Sequence, residues 1–249
     1  MKLFVDVGNT ALKWRRRGAD GTVQGGAAHG RDWPRALQAP LDVGAAGFEQ
    51  IWVASVAGAE ADERIGALIE ARTGVPPRFY YSRQEDFGVS NCYPEPRRLG
   101  VDRWVALVEC WQRFGAGIII DCGSALTIDA IDGEGRFLGG YIVPGLGMLR
   151  SALLRDTADV HVDQARPRLT LGRSTGECVH NGLLRMSVAF VTDVVVELRE
   201  RLPDTCKVLV TGGDAATRGI GVMTDARWAK IHEFMLEAGL VDASLDIHD

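Results

Sequence analysis

The sequence predicts an α/β protein made of two related halves. Three observations carry that expectation. First, Leu3-Phe4-Val5-Asp6-Val7-Gly8-Asn9 returns 115 residues later as Ile118-Ile119-Ile120-Asp121-Cys122-Gly123-Ser124, and the pattern runs on to Leu12 and Thr127. Each copy is a buried apolar run, an Asp, a small residue, a Gly and a small polar residue, which reads as strand, tight turn, strand. Second, apolar runs of strand length alternate with segments of helical period. Third, the chain is 46% hydrophobic with 30 glycines, nine prolines and no Gly-X-Y period. That excludes collagen-like and disordered chains, so the glycine excess belongs to folded turns or to close backbone approach.

In chain order, residues 3–12 open with the first copy of the repeat. Ile51–Val56 reads as a strand, Glu60–Arg72 as an amphipathic helix and Phe79–Tyr81 as a short strand, before a loop bearing Pro94 and Pro96. Asp102–Phe114 reads as a helix that buries Val105, Leu107, Val108 and Trp111. Ile118–Ile120, Thr127–Ile131 and Phe137–Val143 follow as three antiparallel strands, the last two joined by Asp132-Gly133-Glu134-Gly135. Helices are expected at Met148–Leu154 and from Ser174 or Thr175 to Leu202, which stops before Pro203. Cys206–Val210 reads as a further buried strand. Residues 215–230 read as a surface segment, and 231–240 as helix or strand. The boundary is expected near Gly115-Ala116-Gly117, giving domains 1–116 and 117–249.

The net charge of −5, with no basic tail, argues against broad nucleic-acid or membrane-surface binding. Arg15–Arg17 reads as a solvated turn. Lysines are scarce, at positions 2, 13, 207 and 230, so one inside a motif carries weight. Five scattered cysteines without CxxC spacing suit reduced thiols, not a zinc site or disulfide framework. Asp6 interrupts the apolar start, and no apolar run approaches the roughly 18 residues a membrane helix needs, so a cytoplasmic protein without membrane association is expected.

No P-loop is present: Gly140 to Gly145 has the spacing but continues with Leu146. A GxGxxG fingerprint is also missing. The chemistry rests on the duplicated Asp-x-Gly turn. Two such hairpins would grip nucleotide phosphates through backbone N–H groups and small hydroxyls, with the Asp residues holding cations. Five motifs make the chain recognisable: Asp6 to Thr10 with Lys13; Gly100-Val101-Asp102-Arg103; Asp121 to Thr127; Gly139-Gly140-Tyr141-Ile142-Val143-Pro144-Gly145; and Thr211-Gly212-Gly213-Asp214-Ala215. In this order they resemble the type III pantothenate kinases, some of which were first named Bvg accessory factors. The resemblance implies two ribonuclease-H-like (actin-like ATPase) domains, with mixed sheets flanked by helices, around a cleft. It also implies ATP-dependent formation of 4′-phosphopantothenate, the first step towards coenzyme A, by a homodimer whose pantothenate site is completed across the interface.

The same resemblance assigns roles. Asp6, Val7, Gly8, Asn9, Thr10, Ala11, Leu12 and Lys13 form the first phosphate loop, with Asp6 facing Mg²⁺. Read alone, Asp6 is also a turn Asp, and Lys13 also an exposed strand lysine. Asp102 is the general base towards the pantothenate hydroxyl; read alone, it is also a helix N-cap. Gly100, Val101 and Arg103 contact substrate, Arg103 at its polar or carboxylate end. Tyr93 lines the pantothenate pocket, or is an exposed loop tyrosine. Asp121 binds the activating monovalent cation, K⁺ or NH₄⁺, and Ser124 takes the place of a phosphate-contacting threonine. Thr175 reaches pantothenate from the partner subunit, or caps its helix. Gly212 and Gly213 lie under the adenosine. Beyond Asp214 the chain departs from the family pattern and no nucleoside contact is carried over. The histidines at 29, 161, 180, 232 and 248 match no motif and read as surface or core residues. A non-catalytic regulatory protein keeping the fold, and a related small-molecule kinase, are the alternatives.

Overall fold

The computed structural model describes residues 1–19, 21–43, 47–155 and 167–211. Its first sheet begins with β1 (Lys2–Val7), β2 (Ala11–Gly18) and β3 (Gly21–Ala28), an antiparallel meander. Two short helices, α1 (Trp33–Ala36) and α2 (Gln38–Leu41), lead to β4 (Gln50–Ser55), which lies parallel to β1. Then come α3 (Ala59–Thr73) and β5 (Arg78–Tyr80), parallel to β4, so the order is β3-β2-β1-β4-β5. A hairpin of β6 (Glu85–Asp86) and β7 (Val89–Ser90) and a 3₁₀ turn at Pro96–Arg98 precede α4 (Val101–Phe114). The second sheet comprises β8 (Gly117–Cys122), β9 (Ala125–Ile131) and β10 (Phe137–Pro144); α5 (Leu146–Arg155) and α6 (Thr175–Arg201) then lead to β11 (Lys207–Thr211). Its order is β10-β9-β8-β11, with β8 antiparallel to β9 and parallel to β11.

Both sheets therefore share one plan: a three-stranded meander whose first strand gains a parallel neighbour after a helical crossover. This is the ribonuclease-H-like arrangement, twice. The chain divides into two compact units, one holding Met1–Glu109 and the other beginning at Cys110, within α4.

Period-two alternation sets which face of each sheet is buried. Leu3, Val5 and Val7 of β1, Leu12 and Trp14 of β2, and Ile51 and Val53 of β4 form one core with Trp33, Leu37, Ile65 and Ile69. In the second unit, Ile118, Ile120, Leu126 and Ile128 pack with Val194 of α6. Each such side chain contributes roughly 1.5–3 kcal/mol of burial.

Several expectations need correction. Arg15–Arg17 is not a solvated turn but part of β2; Arg15 is buried and its Nη2 donates to Gln24 Oε1 at 3.0 Å. Not all of the glycine excess belongs to turns: Gly25 and Gly26 lie in β3, where a Cβ on Gly25 would come within 2.7 Å of the Trp14 ring. In α4, Val105, Leu107 and Val108 are buried as expected, but Trp111 is only half-buried. Trp104 is the wholly buried one, its indole N–H held by the Tyr80 hydroxyl at 3.1 Å. The repeat keeps its 115-residue offset only as far as the turn. Val7 pairs with Leu12 but Cys122 with Leu126, so the second turn is one residue shorter and Ala11-Leu12 corresponds to Ala125-Leu126. Finally, α6 is long and apolar enough to cross a membrane by length and composition, with mean hydropathy 1.3 over 18 residues. Averaging tolerates its isolated charges, which break any uninterrupted apolar run. Residues 215–240, with His161, His232 and His248, lie outside the described residues.

Candidate active site

Gly8 closes the β1–β2 turn by donating its N–H to the Ala11 carbonyl at 3.0 Å, leaving Asn9 and Thr10 exposed at the tip. A Cβ on Gly8 would come within 3.2 Å of that same carbonyl oxygen. Asp6 is buried and stands directly across from Lys13, so both side chains rise from the face opposite the core. Val7 and Leu12 are wholly buried in that core, which leaves only their main-chain atoms to face a ligand.

The Val56 N–H donates to the Val7 carbonyl at 3.0 Å, so β1 and β4 end together. Gly100 sits at this same end: its absent Cβ would lie 3.6 Å from Val56 Cγ1 and 2.6 Å from Asp102 Oδ1. The space a side chain would take at position 100 is thus used by the Asp102 carboxylate. Asp102 is not the helix cap. The Gly100 carbonyl accepts from Trp104 N–H at 3.0 Å, and Asp102 is the second residue of α4, its Oδ1 accepting the Arg103 N–H at 2.8 Å. Ser82 Oγ, buried, donates to the Leu99 carbonyl at 2.8 Å and pins the approach to Gly100. The structure therefore brings the Gly8 turn and Asp102 to one sheet end, the carboxyl ends of β1 and β4, where open α/β sheets hold their ligands.

Tyr93 is half-buried rather than an exposed loop residue, and its hydroxyl accepts from Arg103 Nη1 at 3.0 Å. The Arg103 guanidinium also lies 5.9 Å from the ring centroid. The Val101 side chain is buried. Behind Tyr93 stands a residue that the sequence reading missed. Buried Asn91 accepts the Tyr93 N–H at 3.0 Å and donates to the Arg83 and Pro96 carbonyls at 3.2 and 3.3 Å. Its only signal in the sequence was an Asn two residues before the aromatic, as an Asx turn needs. Tyr80 was missed too. It accepts from Trp104 and donates to Asp86 Oδ2 at 3.2 Å, and burial pushes its phenol well above the ordinary value, which keeps it neutral.

In the second unit, Asp121 is the penultimate residue of β8 and lies opposite Thr211 of β11. Gly123 N–H donates to the Ala125 carbonyl at 3.0 Å, repeating the closure at Gly8, and Ser124 is exposed at the tip. Gly145 packs onto this turn. Its N–H donates to the Ser124 carbonyl at 3.0 Å, and a Cβ there would lie 2.6 Å from the same oxygen. The exposed Thr175 does not cap α6: Ser174 does, its Oγ accepting the Glu177 N–H at 3.2 Å. Gly212, Gly213 and Asp214 lie outside the described residues. Among those described, no group of three or more His, Cys, Asp or Glu could hold a metal. A cation here would be held by single carboxylates supplemented by phosphates and water, a donor set that suits Mg²⁺.

Residues 2–197 match the profile of the family described as type III pantothenate kinase. A type III pantothenate kinase of Alcanivorax borkumensis is 67% identical over 215 residues, covering 86% of this chain and 88% of that protein. Another, from Marinobacter nauticus, is 36% identical over 224 residues, with coverage of 86% and 88%. Among solved structures, a Campylobacter jejuni protein described as of the Baf transcriptional activator family superposes with a TM-score of 0.60 at 16% identity, over 96% of this chain and 100% of that one, a likeness of fold alone. With a profile match over most of its length and a relative of this identity, the chain belongs to the type III pantothenate kinase family.

Proposed function

We propose that this chain transfers the γ-phosphoryl group of ATP to the 4′-hydroxyl of pantothenate, the first step of coenzyme A synthesis. The observation that carries the reading is the Gly100–Asp102 arrangement, a carboxylate set at the carboxyl ends of β1 and β4 beside a glycine turn. Asp102 accepts the hydroxyl proton as the oxygen bonds to phosphorus and the bond to the β-phosphate oxygen breaks, releasing ADP. Arg103, oriented by Tyr93, binds the polar or carboxylate end of pantothenate. Asn9 and Thr10 offer polar groups to phosphate from the tip of the first turn, and Lys13 adds a positive charge; Ser124 offers a hydroxyl at the matching tip of the second unit. Asp6 would hold Mg²⁺, which neutralises phosphate charge when bound, and Asp121 a monovalent cation, K⁺ or NH₄⁺.

The working form is a cytoplasmic homodimer in which Thr175 reaches the partner's pantothenate. Support comes from the apolar side chains that the second unit leaves exposed. Tyr141 of β10 meets Phe190 of α6 edge to face at 5.9 Å, and α5 packs on α6. Tyr141, Met148, Met186 and Val196 remain exposed on these elements. The other face of α6 buries Val194 in the sheet core, and buried Asn181 accepts the Arg168 N–H at 2.7 Å. A helix so tied to a sheet presents its outer apolar face to a protein partner rather than to lipid. The test is ADP release with pantothenate, with and without potassium. Pantothenate-dependent turnover is expected, and its absence under both conditions overturns the reading.

A further inference from the structure

His29 is buried, 5% exposed, and matches no motif of the sequence. The β2–β3 register ends at Ala11 opposite Ala28, which sets residue 29 beside the β1–β2 turn, and its own N–H donates to the Thr10 carbonyl at 3.1 Å. Its ring is held on three sides. Arg31 N–H donates to Nδ1 at 3.0 Å, Nε2 lies 3.0 Å from the Gly8 carbonyl oxygen, and the Trp33 ring lies against it with centroids 4.5 Å apart. A main-chain N–H can only donate and a carbonyl only accept. The two contacts together therefore demand the neutral ring with its hydrogen on Nε2. Gly30 and Arg31 both adopt left-handed φ, +50° and +65°, curling the chain so that the Arg31 N–H meets the ring. For arginine that conformation is costly.

Both polar groups of Gly8 are thereby used, its N–H by Ala11 and its carbonyl by His29. In a trans peptide the carbonyl and the following N–H point in opposite directions. Anchoring the Gly8 carbonyl on a buried ring turns the Asn9 N–H the other way, at a tip where Asn9 and Thr10 are exposed. We propose that His29 is a positioning residue for ATP: by holding the Gly8–Asn9 peptide it presents the Asn9 N–H and the Thr10 hydroxyl to phosphate. This rests on the reading of residues 6–13 as the phosphate loop.

The test titrates a non-hydrolysable ATP analogue calorimetrically into wild type, His29→Ala, His29→Gln, His29→Asn and Thr10→Ala, with the pantothenate KM and Tm of each. A glutamine amide nitrogen reaches where Nε2 sits, whereas the asparagine amide ends near Nδ1. Expected are about tenfold weaker analogue binding in His29→Ala, a pantothenate KM within about twofold of wild type, and recovery in His29→Gln but not His29→Asn. If His29→Ala fails to fold, the contrast between Gln and Asn carries the test. Unchanged analogue binding in His29→Ala, with Thr10→Ala weakened, overturns the role of His29 alone. If both bind normally, the phosphate-loop reading beneath it falls as well. Equal losses in Gln and Asn that track Tm reduce His29 to a structural residue and also overturn the proposal.

Discussion

At position 100 the missing side chain matters as much as the carboxylate two residues on. A methyl group there would sit 2.6 Å from Asp102 Oδ1, too close to coexist with the observed rotamer. Two substitutions separate aim from chemistry. Asp102→Asn removes the proton acceptor and is expected to lower kcat about a hundredfold or more, with ATP affinity and Tm nearly unchanged. Gly100→Ala keeps the acceptor but displaces it, and a kcat loss of up to about a hundredfold with an unaltered circular dichroism spectrum is expected. Steady-state kinetics decide: a kcat within about twofold of wild type in Asp102→Asn would remove it from the base role. Asp102 itself was legible, because Gly-x-Asp-Arg is a local word. The Tyr93–Arg103 bond was not. It depends on a loop between them whose path is set by Asn91, and such side-chain-to-backbone bonds leave only weak traces in sequence.

Among the elements, α6 carries two adjacent hydroxyl residues with separate duties. Ser174→Ala removes the cap and is expected to destabilise by about 1 kcal/mol without altering the pantothenate KM. Thr175→Ala should do the reverse, raising that KM several-fold, as the loss of one hydrogen bond does, at constant Tm. Thermal melts and initial rates on both variants check this, and a Tm loss confined to Thr175→Ala would exchange the roles. The β9–β10 turn has a pH signature. Burial works to raise the Asp132 carboxyl, but the Arg136 N–H and guanidinium and the Glu134 N–H outweigh it and hold it below its ordinary 3.8. A lowered folded-state value means stability that is complete above the unfolded value and lost as pH falls through the folded one. Asp132→Asn should therefore lower Tm at neutral pH, and the gap to wild type should narrow below about pH 4. Melts from pH 3 to 7 test it; a constant gap would exclude ionisation as the cause. This turn was legible from Asp-Gly-Glu-Gly. The β3 strand was not, because Gly21–Ala28 is small and polar and takes its strand state from eight paired residues of β2.

For the whole molecule, the exposed apolar surface over β10, α5 and α6 predicts association. Sedimentation velocity at micromolar concentration should show a dimer. Met186→Glu should shift it towards monomer, and turnover should fall with it if Thr175 serves the partner's site. A fully active monomer would dismiss both the dimer and the shared site. The sequence by itself determined the duplicated strand–turn–strand unit, the buried runs of β1 and β8 (though not β11, where Val210 is exposed) and the chemical words Asp-x-Gly and Gly-x-Asp-Arg, because alternation, turn chemistry and apolar runs are written within a few residues. Only the tertiary structure decided that the second turn is one residue shorter, that Gly100 meets the ends of β1 and β4, and that His29 holds the Gly8 carbonyl. Those facts depend on strand register and on parallel pairing between distant segments, which are settled by burial of whole faces together and not by any local stretch of chain.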